Sequence, residues 1–348
     1  MADNYARGDL LGQGTFAAVY KGVDKRTGKV VALKEIFADE KGTDGKKGLD
    51  PTALREIKLL RELRHPHIIR LEDAYPKKKS VVLVLEYMHS DLEAVIRDQN
   101  LVLAAADVKS YMRQLLAALD TCHRRWVLHR DIKPNNCLIA PDGSLKLADF
   151  GLSRVYGSPD GRLTHQVFAQ WYRAPELFFG ARQYTAAVDV WAAGCIFGEL
   201  LLRRPLFDGM CDIDVLSKFT ETKALPLRQV FPAASGDALD RLSRMLQLDP
   251  LRRISSAEAL RHPYFSNNPP PTPPALLLAA GEGGRTLPLV AREGQQAGAK
   301  GARERAVSGG GVAPAGQGAP PQRRGWGRGG ARQCGCLDST VPTDATLS

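Results

Sequence analysis

The sequence has no long hydrophobic run and few cysteines, and each absence excludes classes of protein. No stretch of 18 or more apolar residues occurs; the apolar segment 189–202 is interrupted by Glu199 and predicts a buried helix instead of a membrane span. The polar first residues argue against a signal peptide. The six cysteines form no Cys/His cluster with zinc spacing, so we expect buried, reduced thiols in a cytosolic or nuclear protein.

Acidic residues are fewer than basic ones, 38 against 48, and the resulting formal net charge of +10 raises the question of nucleic-acid binding. Residues 275–348 hold nine Lys/Arg and five Asp/Glu, a net +4, which leaves +6 for residues 1–274. Because that charge is scattered, specific nucleic-acid binding by the folded part is not expected. The sequence QRRGWGRGG in the tail faintly resembles an RNA-binding segment, but a solvated linker is the favoured reading.

Composition changes sharply after about residue 265. The last 74 residues carry 16 of the 33 glycines together with scattered Arg, Ala and Pro. Such a segment cannot bury enough apolar surface to offset its ordering entropy, so residues 266–348 are predicted to be a disordered tail. Residues 5–265 have the texture of a globular domain.

Within that domain a strand-rich region precedes a helical one. VVALKEI (30–36) and SVVLVLEY (80–87) predict strands, and residues 50–63 predict a helix with Asp50 as its cap and Pro51 in its first turn. Beyond residue 100 helices dominate; one face of the segment 107–126 carries Val108, Tyr111, Met112, Leu115 and Leu119. The sequence therefore predicts an α+β fold with a cleft between a small and a larger lobe.

Several residues of the strand-rich region could bind a triphosphate. Gly12 and Gly14 lie between two strand-like runs, where the lack of a side chain lets backbone amides approach phosphate oxygens. Lys34 could bridge two phosphates, and Glu56 could hold its ammonium group in place. Taken singly, these residues also fit a hairpin turn, a surface lysine and an exposed helical glutamate.

The sequence VLHRDIKPNNCLI (127–139) contains three candidate catalytic and metal-binding residues. Asp131 is placed to orient an incoming hydroxyl, Lys133 to donate to the transferring phosphate, and Asn136 to supply an oxygen ligand to magnesium. Asp149, in LADFG, would bridge magnesium and the phosphates. Either run alone fits a solvated charged loop, but both in this order indicate phosphoryl transfer.

With these motifs the chain resembles a eukaryotic protein kinase over residues 5–265. The resemblance implies a two-lobed α+β fold, with the N-lobe at 1–88, the C-lobe at 89–265 and the tail at 266–348. It implies ATP and Mg²⁺ as cofactors, support of the catalytic-loop backbone by Asp189, and an ion pair between Arg253 and Glu176. The residues implied to bind ATP are Leu11, Gly12, Gly14, Val19, Ala32, Lys34, Glu86, Met88, Asp91 and Leu138.

Three features resemble the cyclin-dependent kinases. WYRAPE (171–176) resembles their proline-directed substrate platform, and DPTALREIKLL (50–60) their cyclin-binding helix. Arg55, Arg130 and Arg154 could gather one phosphate on Thr164, although each arginine alone fits a plain surface charge.

Within that family the chain resembles the CDK-activating kinases, cyclin-dependent kinase 7 and its plant D-type relatives. The matching runs are GTFAAVYKG, TALREIKLL, HRDIKPNN, YGSPDGRLTHQV, ELFFGARQY and YFSNNPPPTPP. The resemblance implies a cyclin H-like partner and a ring-finger assembly factor. It implies as substrates the activation loops of other cyclin-dependent kinases and the C-terminal repeats of RNA polymerase II. It also implies a nuclear location, with a cytoplasmic pool as a further expectation.

Ser158, which precedes Pro159, is a candidate second phosphosite or a serine in a turn.

Two departures from the family stand out. Ala169 replaces a threonine whose hydroxyl bonds toward the catalytic loop, and an insertion near residues 220–230 is about two dozen residues shorter. We therefore expect an active but slowed enzyme; the alternatives are another proline-directed cyclin-dependent kinase and a weak or inactive cyclin-binding scaffold.

Overall fold

The computed structural model describes residues 2–14, 17–37, 51–78, 80–157, 163–165, 167–224 and 226–277. These residues all fall within one compact unit, Met1–Gln296. The predictions for Asp50, Ser158 and the tail beyond residue 277 lie outside the described residues. The predicted start of the disordered tail at residue 266 is wrong, because residues 266–277 pack on the domain and Leu277 is buried in its core.

A five-stranded antiparallel sheet forms the N-lobe, in the order β1-β2-β3-β5-β4. Its strands are β1 Tyr5–Gln13, β2 Ala17–Asp24, β3 Val30–Phe37, β4 Leu71–Lys77 and β5 Ser80–Glu86. Alternate residues of β3 and β5 face opposite clusters, because side chains alternate along a strand. Val31 and Val84 pack in an outer cluster with Tyr5 and Tyr75, whereas Leu83 faces the main core. The strands predicted at residues 30–36 and 80–87 are thus confirmed as β3 and β5.

Helix α1 Pro51–Glu62 follows the predicted helical pattern and buries Ala53, Leu59 and Leu60. The C-lobe helices are α2 Leu92–Arg97, α3 Ala105–His123, α4 Pro175–Phe178, α5 Ala187–Leu202, α6 Asp212–Ala224, α7 Leu227–Val230, α8 Gly236–Met245, α9 Ser256–Leu260 and α10 Pro274–Leu277. Short strands join them: β6 Ser90–Asp91, β7 Val127–Leu128, β8 Cys137–Ile139, β9 Leu145–Leu147 and β10 Arg154–Val155. The two-lobed α+β prediction is confirmed.

The apolar patterns of the C-lobe reappear as its core. All five residues predicted on one face of α3 are at most 3% exposed. Helix α5 is buried around its whole circumference from Val188 to Leu200, as expected for the apolar segment that contains it. None of the described helices combines the length and apolar character that crossing a bilayer requires.

The prediction that the cysteines are buried is confirmed for three of the four described cysteines. Cys122, Cys137 and Cys195 are buried free thiols, but Cys211 is exposed, which corrects the expectation of buried cysteines. Cys211 immediately precedes the first turn of α6, where the core does not cover it.

The region near residues 220–230, where the insertion is shorter than in the family, connects α6 to α7. Helix α7 begins three residues after α6 ends. The rings of Phe207 and Trp191 pack on Phe219 of α6, with centroids 4.6 and 5.0 Å away.

Candidate active site

Lys34, Glu56 and Asp149 meet between the two lobes. Strand β3 carries Lys34, α1 carries Glu56, and Asp149 follows β9. Lys34 Nζ lies 3.0 Å from both carboxylate oxygens of Glu56 and 2.9 Å from Asp149 Oδ1. The lysine ammonium lowers the pKa of Asp149 to about 2. Burial opposes the charge on Lys34, but the two carboxylates outweigh it and raise its pKa. Lys34 and Asp149 are therefore charged at neutral pH, whereas burial raises the pKa of Glu56 despite the neighbouring ammonium.

The catalytic-loop candidates form a second cluster. Lys133 Nζ lies 3.0 Å from Asp131 Oδ2, and the Asn136 amide donates to the same oxygen at 2.8 Å and to the Asp131 carbonyl at 2.7 Å. Asn136 ends the 3₁₀ turn Pro134–Asn136, and β8 follows directly. These contacts fix the Asp131 carboxylate, while the catalytic roles of the three residues stay predictions.

Asp189 of α5 fixes the backbone of this loop, as predicted. Its two carboxylate oxygens each accept a backbone N–H at 2.9 Å, one from His129 and one from Arg130. His123 at the end of α3 adds a contact of 3.1 Å between Nε2 and Asp189 Oδ2. Burial opposes ionisation, but these hydrogen bonds keep the pKa of Asp189 below its usual value. The sequence analysis missed His123 because it lies in no catalytic motif.

The DFG segment rests on the catalytic loop. Asp149 has a left-handed backbone with φ 65°, which turns the chain sharply after β9. The next side chain, Phe150, is fully buried, and its ring meets that of His129 edge-on at 4.7 Å. The position of Asp149 beside Lys34 is thus tied to the position of the catalytic loop.

The oxygens near these clusters suit magnesium. Among the described residues, no hydrogen bond engages Asn136 Oδ1 or Asp149 Oδ2, because the partners found use the other atom of each side chain. Mg²⁺ prefers carboxylate and amide oxygens and retains several waters, so two such ligands beside a triphosphate fit it. The magnesium assignments for Asn136 and Asp149 accordingly stay predictions that the donor set supports.

The predicted nucleotide-binding residues stay predictions, and the structure shows where each lies. Gly12 lies in β1, Gly14 donates its N–H to the Ala17 carbonyl at 2.8 Å, and Val19 pairs with Lys34 across β2 and β3. Thr15 and Phe16 lie outside the described residues. The other apolar candidates are half-buried or buried: Leu11, Ala32, Met88 and Leu138.

Two polar candidates are already engaged in the fold. The carboxylate of Glu86 binds Lys146 at 3.1 Å and accepts the Arg70 N–H at 2.8 Å, so its side chain is occupied. Asp91 caps α2 by accepting the Ala94 N–H at 2.8 Å. Burial raises the pKa of Asp91 to about 6.

The three predicted phosphate-gathering arginines converge on the start of the activation segment. Arg55 Nη1 donates to the Gly151 carbonyl at 3.2 Å, Arg130 Nε to the Leu152 carbonyl at 2.8 Å, and Arg154 Nη1 to the Ser153 carbonyl at 3.0 Å. Burial, together with the charges of Arg55 and Arg130, lowers the pKa of Arg154 to about 10. This repulsion shows that the three guanidinium groups share one region.

Thr164 is exposed and is linked to this region through Tyr184. The Tyr184 hydroxyl donates to the Thr164 carbonyl at 2.6 Å and accepts from Arg130 Nη1 at 2.9 Å. The sequence analysis missed Tyr184, which lies well beyond the A-P-E tripeptide and in no phosphate motif.

Phe168 shapes the segment that precedes WYRAPE. Its backbone is left-handed with φ 66°, an unusual conformation for a bulky residue. Its N–H donates to the Arg130 carbonyl at 3.2 Å, and its carbonyl accepts from Arg173 Nη2 at 3.3 Å. Both backbone groups of Phe168 are thus used within the fold and are not offered to a bound peptide.

Ala169 provides no replacement for the threonine hydroxyl. It precedes the 3₁₀ turn Gln170–Tyr172 and makes no side-chain cap. The neighbouring Gln170 amide donates to Asp212 Oδ1 at 2.9 Å, so it is turned toward α6.

Arg253 forms the predicted ion pair with Glu176. Its Nη1 and Nη2 lie 2.8 and 3.0 Å from the two carboxylate oxygens of Glu176.

Comparison with known proteins agrees with this geometry. The protein kinase domain family matches residues 5–265. Cyclin-dependent kinase D-1 of Arabidopsis thaliana is 53% identical over 291 residues, covering 77% of this chain and 72% of the relative. Cyclin-dependent kinase 7 of Xenopus laevis is 45% identical over 290 residues, covering 76% of this chain and 82% of the relative.

A solved structure is similar as well. The CAK complex of Chaetomium thermophilum bound to ATP-γ-S has a chain that is 39% identical, with a TM-score of 0.73. The match covers 79% of this chain and 94% of that one. The chain therefore belongs to the protein kinase family, as a serine/threonine kinase of the cyclin-dependent group and of the CDK-activating type.

Proposed function

We propose that this protein is the catalytic subunit of a CDK-activating kinase. With a cyclin H-like partner and a ring-finger assembly factor, it would phosphorylate activation loops of other cyclin-dependent kinases and the C-terminal repeats of RNA polymerase II. The nucleus is the proposed location. The observation that carries the proposal is the contact of Lys34 with both Glu56 and Asp149, beside the ion pair of Asp131 and Lys133.

The residues divide the work of phosphoryl transfer. Lys34, held by Glu56, would bind oxygens of the ATP phosphates, and Asp131 would orient the substrate hydroxyl and accept its proton. Lys133 would donate to the transferring phosphoryl group, where negative charge is spread in the transition state. Magnesium, held by Asn136 and Asp149, would supply charge neutralisation at the phosphates.

The Phe168 backbone supports a substrate preference. Because its N–H and carbonyl are bonded to Arg130 and Arg173, the peptide residue after the phosphoacceptor finds no backbone partner there. Proline has no N–H to satisfy, so this site tolerates proline at lower cost than a residue that needs a partner. This favours a second candidate function, a proline-directed cyclin-dependent kinase with other substrates.

The test is phosphate transfer by the purified full chain with a cyclin H-type partner, magnesium and ATP. Two substrates would be offered, an activation-loop protein and a polymerase repeat peptide. Transfer to both, abolished by Asp131→Asn, is the expected result. Transfer to the repeat peptide alone would favour the second candidate. Normal complex assembly without any transfer, in the wild type as in Asp131→Asn, would identify a scaffold.

A further inference from the structure

Residues 266–277, here called the C-terminal strap, run from the 3₁₀ turn Pro263–Phe265 onto the start of α3. Lys109 Nζ donates to the carbonyls of Asn267 and Pro269 at 2.7 and 2.8 Å. Thr272 donates its N–H to the Ala106 carbonyl at 3.1 Å and its hydroxyl to Asp107 Oδ1 at 2.6 Å. The strap ends with Leu277, which is buried against the main core.

Little backbone hydrogen bonding holds the middle of the strap. Five of its residues are prolines and have no N–H to donate: 269, 270, 271, 273 and 274. Between Asn268 and Ala275, within the described structure, the Thr272 N–H makes the one backbone bond to the domain. Residues 270–273 belong to no helix or strand, and Asn268 to Pro270 and Pro273 are exposed. A segment with so few backbone hydrogen bonds opens locally at low cost.

We propose that Thr272 is a phosphorylation site for proline-directed serine/threonine kinases, and that a phosphate there releases the C-terminal strap from α3. Thr272 is followed by Pro273 in a partly exposed segment that belongs to no helix or strand, so a kinase cleft can bind it without unfolding regular structure. In the transfer, Thr272 Oγ1 forms a bond to the γ-phosphorus of ATP and the bond to the β-phosphate oxygen breaks. ADP leaves, and the hydroxyl proton passes to the carboxylate base of the modifying kinase.

The release follows from the contact with Asp107. The hydroxyl that now donates to Asp107 Oδ1 would lose its proton, and a group of nearly two negative charges would replace it beside that carboxylate. Asp107 cannot turn away freely, because its Oδ2 accepts the Ala104 N–H at 2.9 Å and caps α3.

Lys109, the cation that holds the strap, does not cancel this repulsion. Lys109 is 3% exposed, and its ammonium group is held by the two strap carbonyls and faces the Tyr264 ring at 5.0 Å. Reaching the phosphate would require Lys109 to leave those carbonyls, which would itself loosen the strap. Repulsion between the phosphate and Asp107 would loosen the strap, and movement of Lys109 toward the phosphate would loosen it as well.

The experiment uses the full chain carrying Asp131→Asn, so that any phosphate comes from the added kinase and the result does not rest on the proposed function. A purified proline-directed kinase and ATP would be added, and mass spectrometry would locate the phosphate. A synthetic peptide of residues 266–277 and the variant Thr272→Ala are the controls. Phosphate at Thr272 of the chain is expected; a chain left unmodified at Thr272 would overturn the proposal, whatever the peptide does.

Hydrogen exchange then tests the release. Exchange of the Thr272 amide and of the first turn of α3 should be at least tenfold faster after phosphorylation. Thr272→Glu should reproduce a smaller acceleration, and Asp107→Asn should remove most of that difference, because the repelling carboxylate is gone. Unchanged exchange in the phosphorylated chain, or an equal effect of Thr272→Glu with and without Asp107, would refute release by repulsion.

Discussion

Lys133 and Asp131 form an ion pair in the catalytic loop, with Lys133 Nζ 3.0 Å from Asp131 Oδ2. In related kinases a threonine hydroxyl reaches toward both groups, and Ala169 has none to offer. The pair is instead supported by Asn136, whose amide donates to the same Asp131 oxygen at 2.8 Å. The apparatus for transfer is thus assembled but lacks one support.

Ala169→Thr should raise kcat, from several-fold to about a hundredfold. A hydrogen bond to charged groups contributes about 1.5–3 kcal/mol and a neutral one about 0.5–1.5 kcal/mol, and the gain would lower the barrier. The measurement is kcat of the cyclin-bound kinase on a saturating substrate. Ala169→Val adds the same bulk without a hydroxyl and should not raise kcat; an equal gain in that variant would contradict the prediction.

Arg241→Leu should stabilise the protein by about 1–4 kcal/mol, because replacing a buried charge with a well-packed apolar side chain removes its desolvation cost. Arg241 is fully buried in α8, and none of its guanidinium nitrogens has a hydrogen-bond partner in the described part of the chain. Burial lowers its pKa to about 9. The rings of Phe197, Tyr264 and Phe265 surround its guanidinium carbon at 4.9, 5.0 and 4.1 Å, which offsets part of that cost.

Thermal unfolding of the variant and the wild type measures the Arg241 effect. Arg244→Leu changes a neighbour on the same helix whose side chain is 57% exposed, so it should shift stability by less than about 1 kcal/mol. A lower melting temperature for Arg241→Leu would show that the aromatic contacts outweigh the desolvation.

Glu199 should make stability depend on pH. Burial raises its pKa to about 7, although the Tyr172 hydroxyl donates to it at 2.7 Å. The unfolded carboxyl titrates near about 4.3, so between these values the folded protein holds a proton that the unfolded chain has lost. Stability from this group is complete below pH 4 and is lost as pH rises toward 7, by about 4 kcal/mol at most.

Glu199→Gln keeps the shape and an acceptor for Tyr172 but cannot ionise. Its melting temperature should therefore match that of the wild type below pH 4 and exceed it increasingly as the pH rises to 8. Glu221→Gln, at an exposed position of α6, should leave the pH profile unchanged. Parallel profiles for the wild type and Glu199→Gln would rule out Glu199 as the source.

Arg253→Met should destabilise the C-lobe by about 3–5 kcal/mol, because it leaves the half-buried Glu176 carboxylate without its partner and removes a buried donor to two carbonyls. The Arg253 side chain is 0% exposed and also donates to the carbonyls of Ala187 and Gln247. Arg252→Met, at a side chain 81% exposed, should change stability by about 0.5 kcal/mol or less. Similar unfolding of both variants in urea would contradict the prediction.

Phosphorylation of Thr164 should reverse the effect of Arg154→Gln. Without phosphate, Arg154 suffers the repulsion of Arg55 and Arg130, so its removal should leave the melting temperature unchanged or raise it. With phosphate present, the three arginines would bind it, and the same substitution should lower the melting temperature. A substitution effect of the same sign in both states would argue that Arg154 does not bind the phosphate.

The fold class and the residues that meet at the site could be predicted from sequence patterns. Strand and helix periods, together with HRDIKPNN and DFG in order, predicted the two lobes and the meeting of Lys34 with Glu56. They also predicted the contacts of Asp189 and the Arg253–Glu176 pair. These predictions succeeded because local patterns and motif spacing specify them directly.

Other features depended on tertiary structure. His123, Tyr184 and Arg241 acquire their settings from residues far away in the chain, so no local pattern marks them. The engagement of Asp91 as a helix cap and the exposure of Cys211 were likewise decided by the folded surroundings. Which neighbours a side chain meets, and how much water reaches it, is set by packing between distant segments, and sequence spacing alone does not encode that.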